Sequence, residues 1–95
     1  MGIPHHSKKR DANEKQLVED LRALGMRVKR EVWRLHNPVD LLIGWRGRTL
    51  LVEVKDKHGR LTPLQDDFIR DWQGGAVIVA QNVDDILRWF DENTT

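Results

Sequence analysis

The stretch Asp40-Leu-Leu-Ile-Gly-Trp-Arg-Gly-Arg-Thr-Leu-Leu-Val-Glu-Val-Lys55 largely determines the fold, because it predicts a tight β-hairpin. Arg46-Gly47 supplies a Gly-containing two-residue turn of the kind that joins antiparallel strands. Side chains alternate between the faces of a strand, so one face of this hairpin is wholly apolar. The other face carries Asp40, Glu53 and Lys55, and we expect Asp40 to lie directly across from Glu53.

Two carboxylates therefore face each other in the predicted hairpin. Directly opposed side chains have Cβ atoms roughly 4.5–5.5 Å apart, and like charges there destabilise a sheet. A divalent cation between Asp40 and Glu53 would remove the repulsion, and hard cations prefer carboxylate oxygens. Lys55 could serve the attacking water or stabilise charge on the phosphorane. The pattern favours a metal-dependent phosphodiesterase, with two solvent-facing acids and a structural Lys55 salt bridge as the alternatives.

The composition suits one small domain. The chain has 95 residues, 39% of them hydrophobic, which is enough for a single core. It contains no cysteine, so a disulfide scaffold and a thiolate zinc site are excluded, and a reducing cytoplasm is compatible. No apolar run approaches the roughly 20 residues of a membrane span, and the start of the sequence lacks the apolar core of a signal peptide. We expect a protein without a membrane segment.

Charge is distributed unevenly along the chain. Residues 1–60 carry 14 Lys and Arg against 8 Asp and Glu, a net charge of +6, whereas residues 61–95 carry 2 against 7, a net charge of −5. A basic first part that also holds the charged cluster fits a polyanionic substrate. Two mutually complementary halves, or a solvated surface, would explain the same distribution.

Periodicity predicts the elements in the order α-β-β-β-α-β-α. We expect residues 1–10 to be a flexible basic arm and residues 11–95 to form one domain. The predicted elements are a helix from Asp11 to Leu24 that ends at Gly25, a strand from Met26 to Leu35, the hairpin, a helix from Thr62 to Trp72, a strand over Ala76–Ala80 buried on both faces, and a helix from Asn82 to Asp91. The inward residues of the first two helices are Leu17, Val18, Leu21, Leu24, Leu64, Phe68, Ile69 and Trp72. An α/β domain with one mixed sheet is the expected packing.

Three further polar residues have two interpretations each. Glu14 projects from the edge of the first helix's apolar stripe and could reach the charged cluster, or could form a capping box with Asp11. Gln65 is a good capping-box partner for Thr62, yet it also lies on the inward face of its helix. His36 could be a ligand or a proton carrier, although a lone histidine is more often an ordinary loop residue.

These motifs resemble the PD-(D/E)XK nuclease superfamily, and in particular its VRR-NUC (virus-type replication-repair nuclease) branch. The segments that carry the resemblance are Asn37-Pro38-Val39-Asp40, Leu51-Val52-Glu53-Val54-Lys55 and Gly59-Arg60-Leu61-Thr62-Pro63-Leu64-Gln65, together with Asn13-Glu14-Lys15-Gln16-Leu17. The likeness spans about Asn13 to Phe90. One departure is that Val39 separates Pro38 from Asp40. The resemblance implies a restriction-endonuclease-like αβββαβ core, a mixed central sheet flanked by helices, and a C-terminal helix.

The resemblance also implies an activity and residue roles. It implies Mg²⁺- or Mn²⁺-dependent hydrolysis of DNA phosphodiesters, with metal held by Asp40, Glu53, the Val54 carbonyl and, directly or through water, Glu14. Lys55 would serve the nucleophile and Gln65 would support the site. Basic residues expected to contact DNA are Lys8, Lys9, Arg10, Lys29, Arg30, Arg34, Lys57 and Arg60.

The expected function is structure-selective cleavage of branched DNA, such as Holliday junctions, in DNA repair. By resemblance, a chain made of this domain alone is expected to act as a two-fold homodimer, in the cytoplasm of a bacterial or phage-infected host cell. Flap or duplex cleavage by the same chemistry, sequence-specific cleavage and RNA processing are alternatives. Two further alternatives are not enzymes: a non-catalytic nucleic-acid-binding module, and a protein-interaction domain whose acids form salt bridges.

Overall fold

The computed structural model describes residues 5–31, 39–55 and 59–94, with the backbone alone for residues 5–11. In chain order the elements are α1 (His5–Ala23), β1 (Arg27–Arg30), β2 (Leu41–Trp45), β3 (Arg48–Val54), α2 (Pro63–Asp71), β4 (Val77–Ala80) and α3 (Val83–Asn93). The order predicted from the sequence is confirmed.

The hairpin also forms as predicted. Leu41 pairs with Val52, and the register continues in step to Trp45 opposite Arg48. The turn residues Arg46 and Gly47 have φ values of 51° and 74°, the left-handed conformations that a type I′ turn requires. The turn conformation matches the twist of the two strands, which is why this short loop sets the register.

The four strands form one mixed sheet in the order β1-β2-β3-β4. The pairs β1–β2 and β2–β3 are antiparallel, whereas the pair β3–β4 is parallel. Parallel strands cannot be joined by a tight turn, so the chain crosses between them through α2. The β3-α2-β4 segment thus places α2 beside the strand that carries the predicted site.

The helices lie on both faces of the sheet. On one face α1 and α3 pack over alternate residues of the strands, and this face holds the apolar core: Leu17, Val18, Leu21, Met26, Val28, Leu41, Ile43, Leu50, Val52, Val54, Ala80, Ile86 and Phe90. The opposite face of the sheet carries Leu42, Leu51 and Glu53, and Gln65 of α2 contacts Glu53 there. We call this second face the α2 face.

The first helix begins at His5 rather than at Asp11, so six residues of the predicted arm lie in α1. Residues 5–24 contain no glycine or proline, and nothing in their sequence ends the helix before Gly25. Gly25 has a φ of 98°, its N–H donates to Arg22 O at 3.0 Å, and the Met26 N–H donates to Leu21 O at 3.2 Å. These two bonds form a Schellman motif, so the predicted stop is confirmed.

Several predicted burials are wrong. Leu24 is exposed because it lies in the terminating turn of α1. Leu64 and Trp72 are 50% and 40% exposed, since Gln65 is the α2 residue that turns toward the sheet. The predicted two-sided burial of β4 is also wrong: β4 lies at the sheet edge, where Val79 is 44% exposed.

The first strand is shorter than predicted. It ends at Arg30, and the next residue, Glu31, has a φ of 53°, which extended backbone does not allow. The remainder of the predicted strand, residues 32–35, lies outside the described residues. In the part of the chain that the structure describes, no helix combines the length and the apolarity needed to cross a membrane.

Candidate active site

Glu53 is the centre of the site because it is a carboxylate with no solvent exposure. It lies in β3 between two core residues, so alternation turns its side chain to the α2 face. A buried carboxylate is costly unless other groups compensate its charge. The surrounding side chains supply this compensation, and they come from the β2 end, the β3 end and α2.

Asp40 lies next to Glu53, but not through the strand pairing that the sequence predicted. Regular strand pairing ends at Leu41 and Val52, so the expected ladder pair of Asp40 with Glu53 does not form. Asp40 lies at a bend, and its N–H donates to Val52 O at 3.0 Å. Its Oδ2 accepts a hydrogen bond from the Val54 N–H at 2.7 Å. In an unbroken ladder this N–H would donate to a backbone carbonyl instead. This bond fixes the Asp40 carboxylate next to β3.

The two carboxyl groups contact each other. The pKa of Glu53 is raised from 4.5 to about 7, first by burial and second by the negative charge of Asp40, with a side-chain hydrogen bond to Asp40 adding to the rise. The hydrogen bond and charge of Lys55 oppose this rise. Adjacent carboxylates with unfavourable ionisation suit a divalent cation, since carboxylate oxygens are the donors that Mg²⁺ and Mn²⁺ prefer.

Lys55 lies two residues after Glu53 and is only 5% exposed. Its Nζ is 3.2 Å from Glu53 Oε1, and its backbone N–H donates to Ala80 O at 2.9 Å. The ammonium therefore has a fixed position beside the carboxylates. The structural salt bridge that the sequence left as an alternative is present, and it also places a positive charge in the site.

Gln65 combines both of its predicted roles. Its Oε1 accepts the Thr62 N–H at 3.0 Å, and its own N–H donates to Thr62 Oγ1 at 3.2 Å, which completes a capping box. Its Nε2 donates to Glu53 Oε1 at 2.6 Å. One amide thus joins the start of α2 to the buried carboxylate, and it fixes which Glu53 oxygen faces the helix.

Glu14 lies on the other side of the sheet. Its Oε1 is 3.2 Å from Arg30 Nε, and Arg30 shares the core face with Val28 by alternation along β1. Asp11 lies well inside α1, so the alternative of a capping box between these two acids is wrong. Among the side chains described, those of residues 12–31, 39–55 and 59–94, no three His, Cys, Asp or Glu are grouped to hold a metal. The ligand role of Glu14 stays a prediction.

The predicted DNA contacts lie in different places. Lys29 is exposed on the α2 face, Arg30 is on the opposite face, and Arg60 is exposed shortly before α2. Lys8, Lys9 and Arg10 are in α1, but their side chains are not among those described, and Arg34, His36 and Lys57 lie outside the described residues. Sequence reasoning missed Arg27, which shares the face of Lys29 and which simple alternation along β1 would have found.

A comparison with solved structures agrees with this architecture. The chain is similar to a structure titled "VRR_NUC domain", with a TM-score of 0.60 and 23% sequence identity, over 90% of this chain and 97% of that one. No protein-family model and no curated protein matches the sequence. At this identity the likeness shows the fold alone. The chain therefore has the fold of a VRR-NUC domain, as its motifs indicated.

Proposed function

We propose that this protein is a metal-dependent endonuclease that hydrolyses phosphodiester bonds in DNA. The observation that carries the proposal is the buried Glu53, which contacts Asp40 and Lys55 and is held by Gln65. A fold needs no such arrangement for its stability, because burying ionised groups costs more than packing apolar ones. The shared fold with a VRR-NUC domain supports the nuclease interpretation.

In this proposal Asp40, Glu53 and the Val54 carbonyl hold Mg²⁺ or Mn²⁺. The ion, when bound, would polarise the phosphate and lower the pKa of a water. Lys55 would bring positive charge to the phosphate oxygens and assist proton transfer at the attacking water. Gln65 would orient Glu53, because its amide is itself fixed by the α2 cap. Asp40 would be oriented by the Val54 N–H.

The finer substrate class rests on the resemblance of the motifs. We include branched DNA as the preferred substrate and a two-fold homodimer as the active form, since such a dimer would present two equivalent sites to two strands. Sedimentation or light scattering would measure the oligomeric state, and a strictly monomeric active enzyme would contradict this part of the proposal.

The test is cleavage of labelled four-way junctions, flaps and linear duplexes with Mg²⁺, with Mn²⁺ and with EDTA. Asp40→Asn and Lys55→Ala should abolish cleavage, whereas Arg48→Ala, which alters an exposed cation on the core side of the sheet, should not. Titration calorimetry with Mn²⁺ alone gives a second readout: Asp40→Asn should remove the binding heat. Equal cleavage by all variants would refute the assignment, and DNA binding without turnover in any metal would indicate a non-catalytic module.

A further inference from the structure

An open cavity of about 770 Å³ lies beside the candidate active site and is not used by it. Its lining includes Arg27, Lys29, Leu42, Gly44 and Thr49. In the strand register Lys29 is opposite Leu42, and Gly44 is opposite both Arg27 and Thr49. These five residues belong to the α2 face, the face of Glu53. The rest of the lining comes from the end of α1, the turn that follows it and core-face positions of β1 and β2: Arg22, Gly25, Met26, Val28 and Ile43. We call this cavity the basic groove.

The cations of the basic groove are available to a ligand. Arg27 and Lys29 are exposed, and among the described side chains neither has an ion pair or a hydrogen bond. Two other arginines, in contrast, are paired with acids: Arg30 with Glu14, and Arg46 with Asp91. Two unpaired cations on adjoining positions of one face favour a polyanionic ligand.

Gly44 gives the basic groove an open floor. A Cβ placed on it would meet no atom within 4 Å, and its φ is not in the left-handed region. No turn or close packing therefore requires glycine at this position of β2. Glycine weakens a strand interior and often marks a place where a ligand approaches the backbone. The exposed Thr49 on the neighbouring strand adds a hydroxyl at the same level.

The basic groove extends along β2 toward the candidate active site, and its lining ends at Leu42. Leu42 is two residues from Asp40 on β2, and Gly44 is four residues away. At about 3.3 Å per residue, Gly44 lies roughly 13 Å from the carboxylate pair. Duplex DNA advances about 3.4 Å per base pair along its helix axis, so this distance corresponds to about four base pairs of a duplex whose axis runs parallel to the strands of the sheet.

We propose that the basic groove holds the sugar–phosphate backbone of the DNA about four base pairs from the bond that is cut. Arg27, Lys29 and the Thr49 hydroxyl contact phosphates there, and Gly44 lets the backbone approach the sheet. The inference rests on the proposed function and deepens it, because it assigns the direction in which the substrate leaves the site. An acidic peptide could bind the same two cations. If the groove served such a peptide instead, its substitution would not change how DNA affinity depends on duplex length.

The first test measures DNA affinity by fluorescence anisotropy in EDTA, where no cleavage occurs. Arg27→Ala/Lys29→Ala should weaken binding of a long duplex at least about tenfold and reduce the slope of log affinity against log salt by about 2. Arg48→Ala is the control for charge on the opposite face of the same sheet, where it removes one exposed cation rather than two. The loss should shrink as the duplex becomes too short to reach from the candidate active site to the basic groove.

The second test fills the basic groove without changing its charge. Gly44→Val should leave the protein folded with an unchanged or higher Tm, because a β-branched residue suits a strand and the space is open. It should nevertheless weaken binding of the long duplex. An unchanged affinity in both groove variants, or an equal loss for long and short duplexes, would overturn the proposal.

The outcomes separate this proposal from the proposed function. If the wild type binds DNA through the groove but cleaves nothing in any metal, the nuclease assignment fails, and of the groove proposal only the phosphate contacts remain. If the wild type cleaves DNA and the groove variants match it in affinity and in length dependence, the groove proposal fails and the nuclease assignment stands.

Discussion

The buried Glu53 should make the stability of the metal-free protein fall as the pH rises. Its pKa is about 7 in the folded state against 4.5 for an unperturbed carboxyl. Between these values the folded protein binds more protons than the unfolded chain. The stabilisation that Glu53 contributes is therefore greatest below about pH 4.5, is lost as the pH rises through 7, and changes little above pH 8. Glu53→Gln cannot ionise and should lack this dependence.

The size of the effect follows from the shift in pKa. Each pKa unit corresponds to about 1.36 kcal/mol, so the full shift is on the order of 3 kcal/mol. Between pH 5 and pH 8 the Glu53 contribution to the free energy of unfolding should decrease by roughly 2–3 kcal/mol. This is a large fraction of the roughly 5–15 kcal/mol that stabilises a typical domain.

The assay is urea unfolding in EDTA from pH 5 to pH 8. The four histidines titrate in the same range, so the informative quantity is the wild-type value minus that of Glu53→Gln at each pH. Asp84→Asn, an exposed acid at the start of α3, is the matched control and should run parallel to the wild type. Asp40→Asn should reduce the dependence only in part, because burial is the largest cause of the shift.

A difference between the wild type and Glu53→Gln that stays constant from pH 5 to pH 8 would refute this reasoning. It would mean that Glu53 is ionised throughout the range, and that neither its burial nor the adjacent Asp40 affects its proton. A difference that grows in favour of the wild type with rising pH would contradict the sign and would indicate that Lys55 dominates.

Three further predictions concern single substitutions. Lys55→Met should lower the DNA cleavage rate by about 100-fold or more at saturating substrate while the protein stays folded by circular dichroism; a loss below tenfold would exclude a direct role. Gln65→Ala should cost about 2 kcal/mol in urea unfolding, because it removes a capping bond and the donor to Glu53; a cost under about 0.5 kcal/mol would contradict the bridging role. Gly74→Ala should cost about 1 kcal/mol, since its Cβ would lie 2.6 Å from Trp72 Cε2, whereas Gly75→Ala, with open space, should be neutral.

The local elements of the fold were predictable because short-range interactions set them. The Arg46-Gly47 turn and the period-2 alternation specified the hairpin register from Trp45 opposite Arg48 to Leu41 opposite Val52, but not the two pairs predicted beyond it. Thr62 and Gln65 specified the start of α2 through a capping box, and Gly25 specified the end of α1. Each of these signals acts over a few residues, so the sequence contains them directly.

The candidate site was predictable in composition but not in geometry. Asp40, Glu53 and Lys55 were identified, yet the bond from the Val54 N–H to Asp40 replaced the expected ladder pair. Glu14 illustrates the limit further: its helical position allowed a place in the site, but its pairing with Arg30 depends on how α1 packs on the sheet. Sequence spacing cannot distinguish a Glu14 in the site from a Glu14 paired with Arg30, because the same helical position allows both.

From its residues alone this protein specifies a hairpin, three helices and a set of charged groups on one strand face. Their effect depends on which helix covers which strand, since burial, and with it the raised pKa of Glu53, arises from groups far apart in the chain. The same packing leaves β4 at an edge and leaves Arg27 and Lys29 open beside the site. Desolvation and charge act through space, and the spatial neighbours exist only after the layers have assembled.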